Sequence, residues 1–126
     1  MPVCPHRPPC PGCPRFGEPG IAPTAFRELA ALATDAGLAP PAIVQGEAFG
    51  YRHRARLMVR GRATSPKIGI FQEGSHRIAD VPSCLVHHPL VNRVAAAVKS
   101  AVRRTGVRPY ADATHTGLLR AVQIVV

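Results

Sequence analysis

"YRHRARLMVR", residues 51 to 60, alternates with a period of two. Tyr51, His53, Ala55, Leu57 and Val59 fall on one side, and Arg52, Arg54, Arg56, Met58 and Arg60 on the other. Successive side chains of a strand face opposite sides of a sheet, so this pattern predicts a half-buried strand with a row of arginines on its outer face. Its neighbours supply partners. Residues 67 to 73 and 76 to 81 read as two further strands joined as a hairpin at Gly74-Ser75. "LLRAVQIVV", residues 118 to 126, reads as a last one. Two helices complete the set. In residues 24 to 36, Thr24 is placed to cap the start, Phe26, Leu29, Leu32 and Ala33 make an apolar face, and Gly37 is the stop. In residues 89 to 105, Pro89 fits the first turn, Gly106 ends the helix, and Val91, Val94, Ala95, Val98 and Val102 form the buried stripe, with Asn92, Lys99, Arg103 and Arg104 in water. The expected fold is α+β: a small mixed or antiparallel sheet, two main helices, and an irregular Cys-rich loop over residues 1 to 23. Residues 24 to 126 form the second unit.

The chain has 126 residues, 46% of them hydrophobic, enough for one small domain with a modest core. A chain this short buries a smaller share of its surface than a longer one, so a covalent or metal staple would add stability. No apolar run approaches the roughly 20 residues of a spanning helix. The N-terminus is rich in Pro, Cys and Arg and has no apolar signal segment. The cytoplasm is therefore the expected compartment, where thiols stay reduced and cysteines serve as ligands more often than as disulfides.

Net charge is +9. Residues 52 to 77 hold seven cations (Arg52, Arg54, Arg56, Arg60, Arg62, Lys67 and Arg77) against Glu73 alone, which is most of that excess. Side chains at i and i+2 on a strand lie about 6.6 Å apart, and guanidinium groups held that close call for an anion between them. Phosphates supply one, in bidentate geometry for Arg. Aromatic rings at the strand start and the hairpin could stack on unpaired bases. Tyr51, Arg52, Arg54, Arg56, Arg60, Lys67, His76 and Arg77 are accordingly the candidate RNA contacts. A solvated face that keeps the protein soluble is the alternative. An anionic membrane surface fits less well, because no helix pairs a basic face with a large aromatic one.

"CPHRPPCPGCP", residues 4 to 14, places Cys4, Cys10 and Cys13 in one proline-rich loop, and Cys84 comes after 70 intervening residues. Four thiolates are the usual complement of a [4Fe–4S] cluster and also suit structural zinc. Zinc ribbons draw on two short pairs, whereas three ligands from a wrapping loop and one from afar is the layout of clusters. Metal closure between Cys13 and Cys84 would staple the leading loop to the sheet. A mixed Cys/His zinc site using His6, His87 or His88 stays open, as do unpaired core thiols or a disulfide pair.

These pieces together resemble the SAM-dependent RNA (uracil-5-)-methyltransferases of the 23S rRNA and tRNA type. The resemblance is carried by Cys-x5-Cys-x2-Cys, "YRHRARLMV", "KIGIFQEGSHRIADVPSC" and "LLRAVQIVV", and it covers nearly the whole chain. It implies a [4Fe–4S] cluster on Cys4, Cys10, Cys13 and Cys84, in a region that grips RNA. Family members often follow the third cysteine with Gln-His, where this chain has Pro14-Arg15-Phe16. The resemblance also implies that the catalytic cysteine, its base and the SAM site lie outside these residues. No Gly-rich strand-to-helix loop of the SAM type is present here. The expected function is thus the cluster-bearing RNA-recognition part of such an enzyme, inactive alone. A stand-alone zinc- or cluster-binding nucleic-acid module without methyltransferase activity is the alternative. The apolar ending Ile124-Val125-Val126 reads as the front part of a longer protein, or else as a short strand tucked against the sheet.

Overall fold

A computed structural model describes residues 2–126. Four strands, β1 (Arg54–Arg62), β2 (Ser65–Phe71), β3 (Ile78–Asp80) and β4 (Ala121–Val125), form one sheet in the order β3-β2-β1-β4. Every neighbouring pair is antiparallel. The helices are α1 (Pro23–Asp35) and α2 (Pro89–Thr105). The α+β class holds, and the sheet is wholly antiparallel rather than mixed.

β1 is central and shows why the alternation matters. Ala55, Leu57 and Val59 are buried on the α2 side, with Ile68, Val81, Ile124, Val91 and Ala95 around them. Leu57 is 2% exposed and Val59 0%. Each such side chain contributes about 1.5–3 kcal/mol by leaving water. The strand starts at Arg54, not Tyr51. Residues 50–52 instead run beside 85–88, through Gly50 N–H to Leu85 O and Arg52 N–H to Val86 O. Tyr51 and His53 therefore stay exposed and do not join the buried row.

The β2–β3 hairpin forms as expected. Gln72 N–H reaches Arg77 O at 2.8 Å, and Gly74 takes the left-handed φ of 63° that a turn requires. Gly69 is needed for space: a Cβ there would lie 1.8 Å from the Ala79 carbonyl oxygen of β3. β1 and β2 form a second hairpin, closed at Arg62↔Ser65 over Ala63-Thr64.

α2 matches its expected bounds. His88 Nδ1 accepts from Leu90 N–H, Pro89 opens the first turn, and Gly106 ends it with φ 68°. Val91, Ala95 and Val102 are buried, but Val94 is 42% exposed because it sits at the edge of the stripe. Two residues expected in water are engaged instead. Lys99 pairs with Asp80 at 2.5 Å, and Asn92 bonds inward to Cys84 and His87. α1 starts at Pro23, whose missing N–H suits a first turn. Its cap position is Ala22 with no side-chain bond, so Thr24 is not the cap. The other end closes as expected, with Gly37 N–H on Thr34 O and Leu38 N–H on Ala33 O. The apolar face of α1 buries nothing fully: Leu29 is 49% exposed and Leu32 65%.

Candidate functional site

Two features of the fold carry chemistry. The first is the leading loop. Its backbone is tied by Cys10 N–H to His6 O and Phe16 N–H to Cys13 O, and the Arg7 guanidinium donates to the Cys13 and Pro14 carbonyls. His6 Nε2 accepts from Ser83 N–H at 3.2 Å, across 77 residues, and so docks the loop beside Cys84. Cys10 and Cys84 pack against the core. All four thiols are free and half-buried.

The thiols sense one another. The Cys13 thiol is pushed up by burial and then by the Cys84, Cys10 and Cys4 sulfurs, while Arg52 pulls it down. For Cys84, burial opposes ionisation, but bonds from the His87 side chain and the Val86 and His87 amides, with the His87 charge, outweigh it and hold that thiol below the ordinary range. His87 is itself buried, with Nδ1 3.2 Å from Asn92 Oδ1, and Asn92 Nδ2 donates to Cys84 O at 3.0 Å. Among the described residues, no group of three or more His, Cys, Asp and Glu side chains is arranged to hold a metal ion. The fold thus gathers the three local thiols and the remote one into one neighbourhood without drawing them to ligating distance. By residue type the four thiols are soft ligands of the kind a thiolate centre takes, but the described side chains are not arranged around one.

The second feature is the outer face of the sheet. Arg60, Lys67, His76 and Arg77 line one open recess of about 560 Å³ with Ile78 and Tyr110. Arg54 and Arg56 are exposed on the same strand, opposite Val125 and Gln123 of β4. Among the described residues, Arg54, Arg56, Arg62, Lys67 and Arg77 form no ion pair. Arg60 differs. Its Nε and Nη2 grip Asp112 at 2.6 and 3.1 Å, its Nη1 donates to the Val59 and Arg120 carbonyls, and it lies over the Phe71 and Tyr110 rings. The hydrogen bond from Arg60 holds the Asp112 carboxyl below the usual range, with the charges of Arg60 and His76 adding to it. His76 meets Phe71 edge to face, 5.7 Å between centroids.

The eight candidate contacts therefore divide. Four surround the recess and two flank it on β1. Arg52 lies before β1, bridged to His87, and Tyr51 lines a separate apolar groove with Phe16, Phe26, Phe49 and Val86. Sequence reasoning missed Tyr110, Asp112 and Arg120, whose guanidinium stacks 4.0 Å from the Tyr110 centroid. One signal was present: Asp112 is the only acidic residue after Asp80 in a chain with +9 net charge. No helix of the described residues is long and apolar enough to cross a membrane.

No family model matches the chain. Among curated proteins it is 38% identical over 125 residues to a protein of Protochlamydia amoebophila named as an uncharacterised RNA methyltransferase, covering 98% of this chain and 31% of that protein. A protein of Geobacter sulfurreducens with the same description is 44% identical over 70 residues, 56% of this chain and 14% of the relative. A 23S rRNA (uracil-C5)-methyltransferase of Chromohalobacter salexigens is 38% identical over 77 residues, 59% of this chain and 16% of that enzyme. The chain spans about a third or less of the length of these relatives.

Proposed function

This chain is a relative of the RNA methyltransferases, alike to about a third of their length, and from that premise we propose that it is the RNA-recognising, [4Fe–4S]-bearing part of a SAM-dependent RNA (uracil-C5)-methyltransferase. The observation that carries the reading is the outer sheet face. Among the described residues, Arg54, Arg56, Arg62, Lys67 and Arg77 form no ion pair, and the Asp112 carboxylate beside the recess is already held by Arg60. Phosphodiesters are the anions that suit such a face, and Phe71 and His76 offer ring surfaces to unpaired bases.

Cys4, Cys10, Cys13 and Cys84 would hold the cluster. Its chemistry when bound would be that of a clip, joining the leading loop to the segment before α2. Methyl transfer is assigned to residues of the whole enzyme other than these, since no Gly-rich loop for SAM occurs in the chain. The compartment that fits reduced thiols is the cytoplasm.

Two measurements on anaerobically purified protein test this. Chemical analysis should find about four iron and four sulfide per chain and a brown protein. Titration with labelled RNA should show binding that weakens steeply with salt. Colourless protein with one zinc removes the cluster, and RNA binding indifferent to salt removes the phosphate-reading face.

A further inference from the structure

We propose that Arg120 is a stacking seat for an unpaired RNA base; the inference rests on the RNA reading above and adds to it a contact of a different chemical kind. A run of ring and guanidinium contacts leads from β2 to the residue before β4. The Arg60 guanidinium lies over Phe71 at 5.3 Å and over Tyr110 at 5.2 Å. That of Arg120 lies over Tyr110 at 4.0 Å. At this separation the planar group rests flat on the ring rather than pointing an N–H at it, which would hold its central carbon farther out.

Both members of that stack are fixed. Tyr110 is buried, its hydroxyl lies 3.0 Å from His115 Nδ1, and its N–H donates to the Leu119 carbonyl at 2.9 Å. The Arg120 carbonyl accepts from Val59 N–H and from Arg60 Nη1, both at 2.9 Å.

Arg120 differs from Arg60 in what it leaves free. Arg60 is engaged by Asp112 and two carbonyls. Arg120 is exposed and forms no ion pair among the described residues. One planar face lies on Tyr110, so the other is turned to solvent with its charge uncompensated. Single-stranded RNA matches such a surface. An unpaired base stacks on a guanidinium plane as it does on an aromatic ring, and the neighbouring phosphate accepts from the N–H groups at its edge. Tyr110 also lines the recess that holds Lys67 and Arg77, so a base on Arg120 stands one ring away from the phosphate-binding cations.

The test titrates the chain with a short labelled oligouridylate and with the same backbone carrying abasic riboses throughout. Wild type should prefer the RNA that has bases. Arg120→Lys keeps the charge but offers no plane, so it should hold the wild-type salt dependence while narrowing that preference about tenfold. Arg120→Gln should narrow the preference by the same factor. Arg54→Gln should weaken both ligands equally and leave the preference as in wild type. Arg120 is exposed, and its bonds to Val59 and Arg60 run through its carbonyl, so these variants should fold. A wild-type preference in Arg120→Lys overturns the inference, because charge alone would then explain the residue. Equal, salt-dependent binding of both ligands by wild type also overturns it, and leaves the phosphate-reading face standing. Wild type that binds neither ligand sinks that face and this inference together.

Discussion

Removing Lys67 and Arg77 together should weaken RNA binding in a way that salt reveals. Both line the recess on the outer sheet face, and neither has an acidic partner among the described residues. If each meets one phosphate, each releases counterions when RNA binds, with a slope of about 0.7 per phosphate in log K against log salt for single strands. The double variant Lys67→Gln/Arg77→Gln should then have a slope smaller by about 1.4. Between about 50 and 200 mM salt, wild type should lose about sevenfold more affinity than the variant. Fluorescence anisotropy with a labelled single-stranded RNA over that range gives both slopes. The control is Arg103→Gln/Arg104→Gln in the exposed last turn of α2, on the helix that covers the opposite side of the sheet, and it should keep the wild-type slope. Equal slopes in wild type and the recess variant would refute the reasoning, because the loss of two phosphate contacts cannot leave counterion release unchanged.

Three further outcomes are expected. Gly69→Ala should cost about 3 kcal/mol or more in urea unfolding, because its Cβ would meet the Ala79 carbonyl at 1.8 Å and backbone cannot yield cheaply. Gly74→Ala has open space around it but a φ of 63°, so it should cost only about 1–2 kcal/mol; a reversed order of the two would show that β3 is free to move. Asp112 is held below the usual carboxylate range by its hydrogen bond from Arg60, so its pairing stabilises the fold above the unfolded value of about 3.9 and is lost as pH falls through the lower folded value. Thermal unfolding of Asp112→Asn followed into acid should therefore fall less steeply than wild type, and parallel curves would remove the pairing as the cause.

Much of this site is legible in local pattern. The period of two in residues 54–60 identifies the buried and exposed sides of β1, because a strand leaves each side chain only two directions. Pro89 and Gly106 bound α2 because one lacks an N–H where none is needed and the other accepts a left-handed turn. The basic character of the hairpin was also readable. Asp112 was not, since its partner Arg60 lies 52 positions away, and no local rule pairs them. The same distance hid Tyr110, which lines the recess from a loop without periodicity, and Arg120, which stacks on its ring. Asn92 looked like a solvated helix residue, and only the packing of α2 against the 84–88 segment turned it inward.

By itself, then, the sequence determined which residues alternate, which positions turn, and which side chains carry charge or a thiol, because those follow from the stereochemistry of each short segment. Tertiary structure decided what the charges do. Arg52, Arg54 and Arg60 are equivalent by spacing, yet one is strapped to the cysteine segment, one faces solvent, and one is neutralised by Asp112. A guanidinium's role depends on which anion lies within a few ångströms of it, and that neighbour is set by chain crossings that alternation along a single strand does not encode.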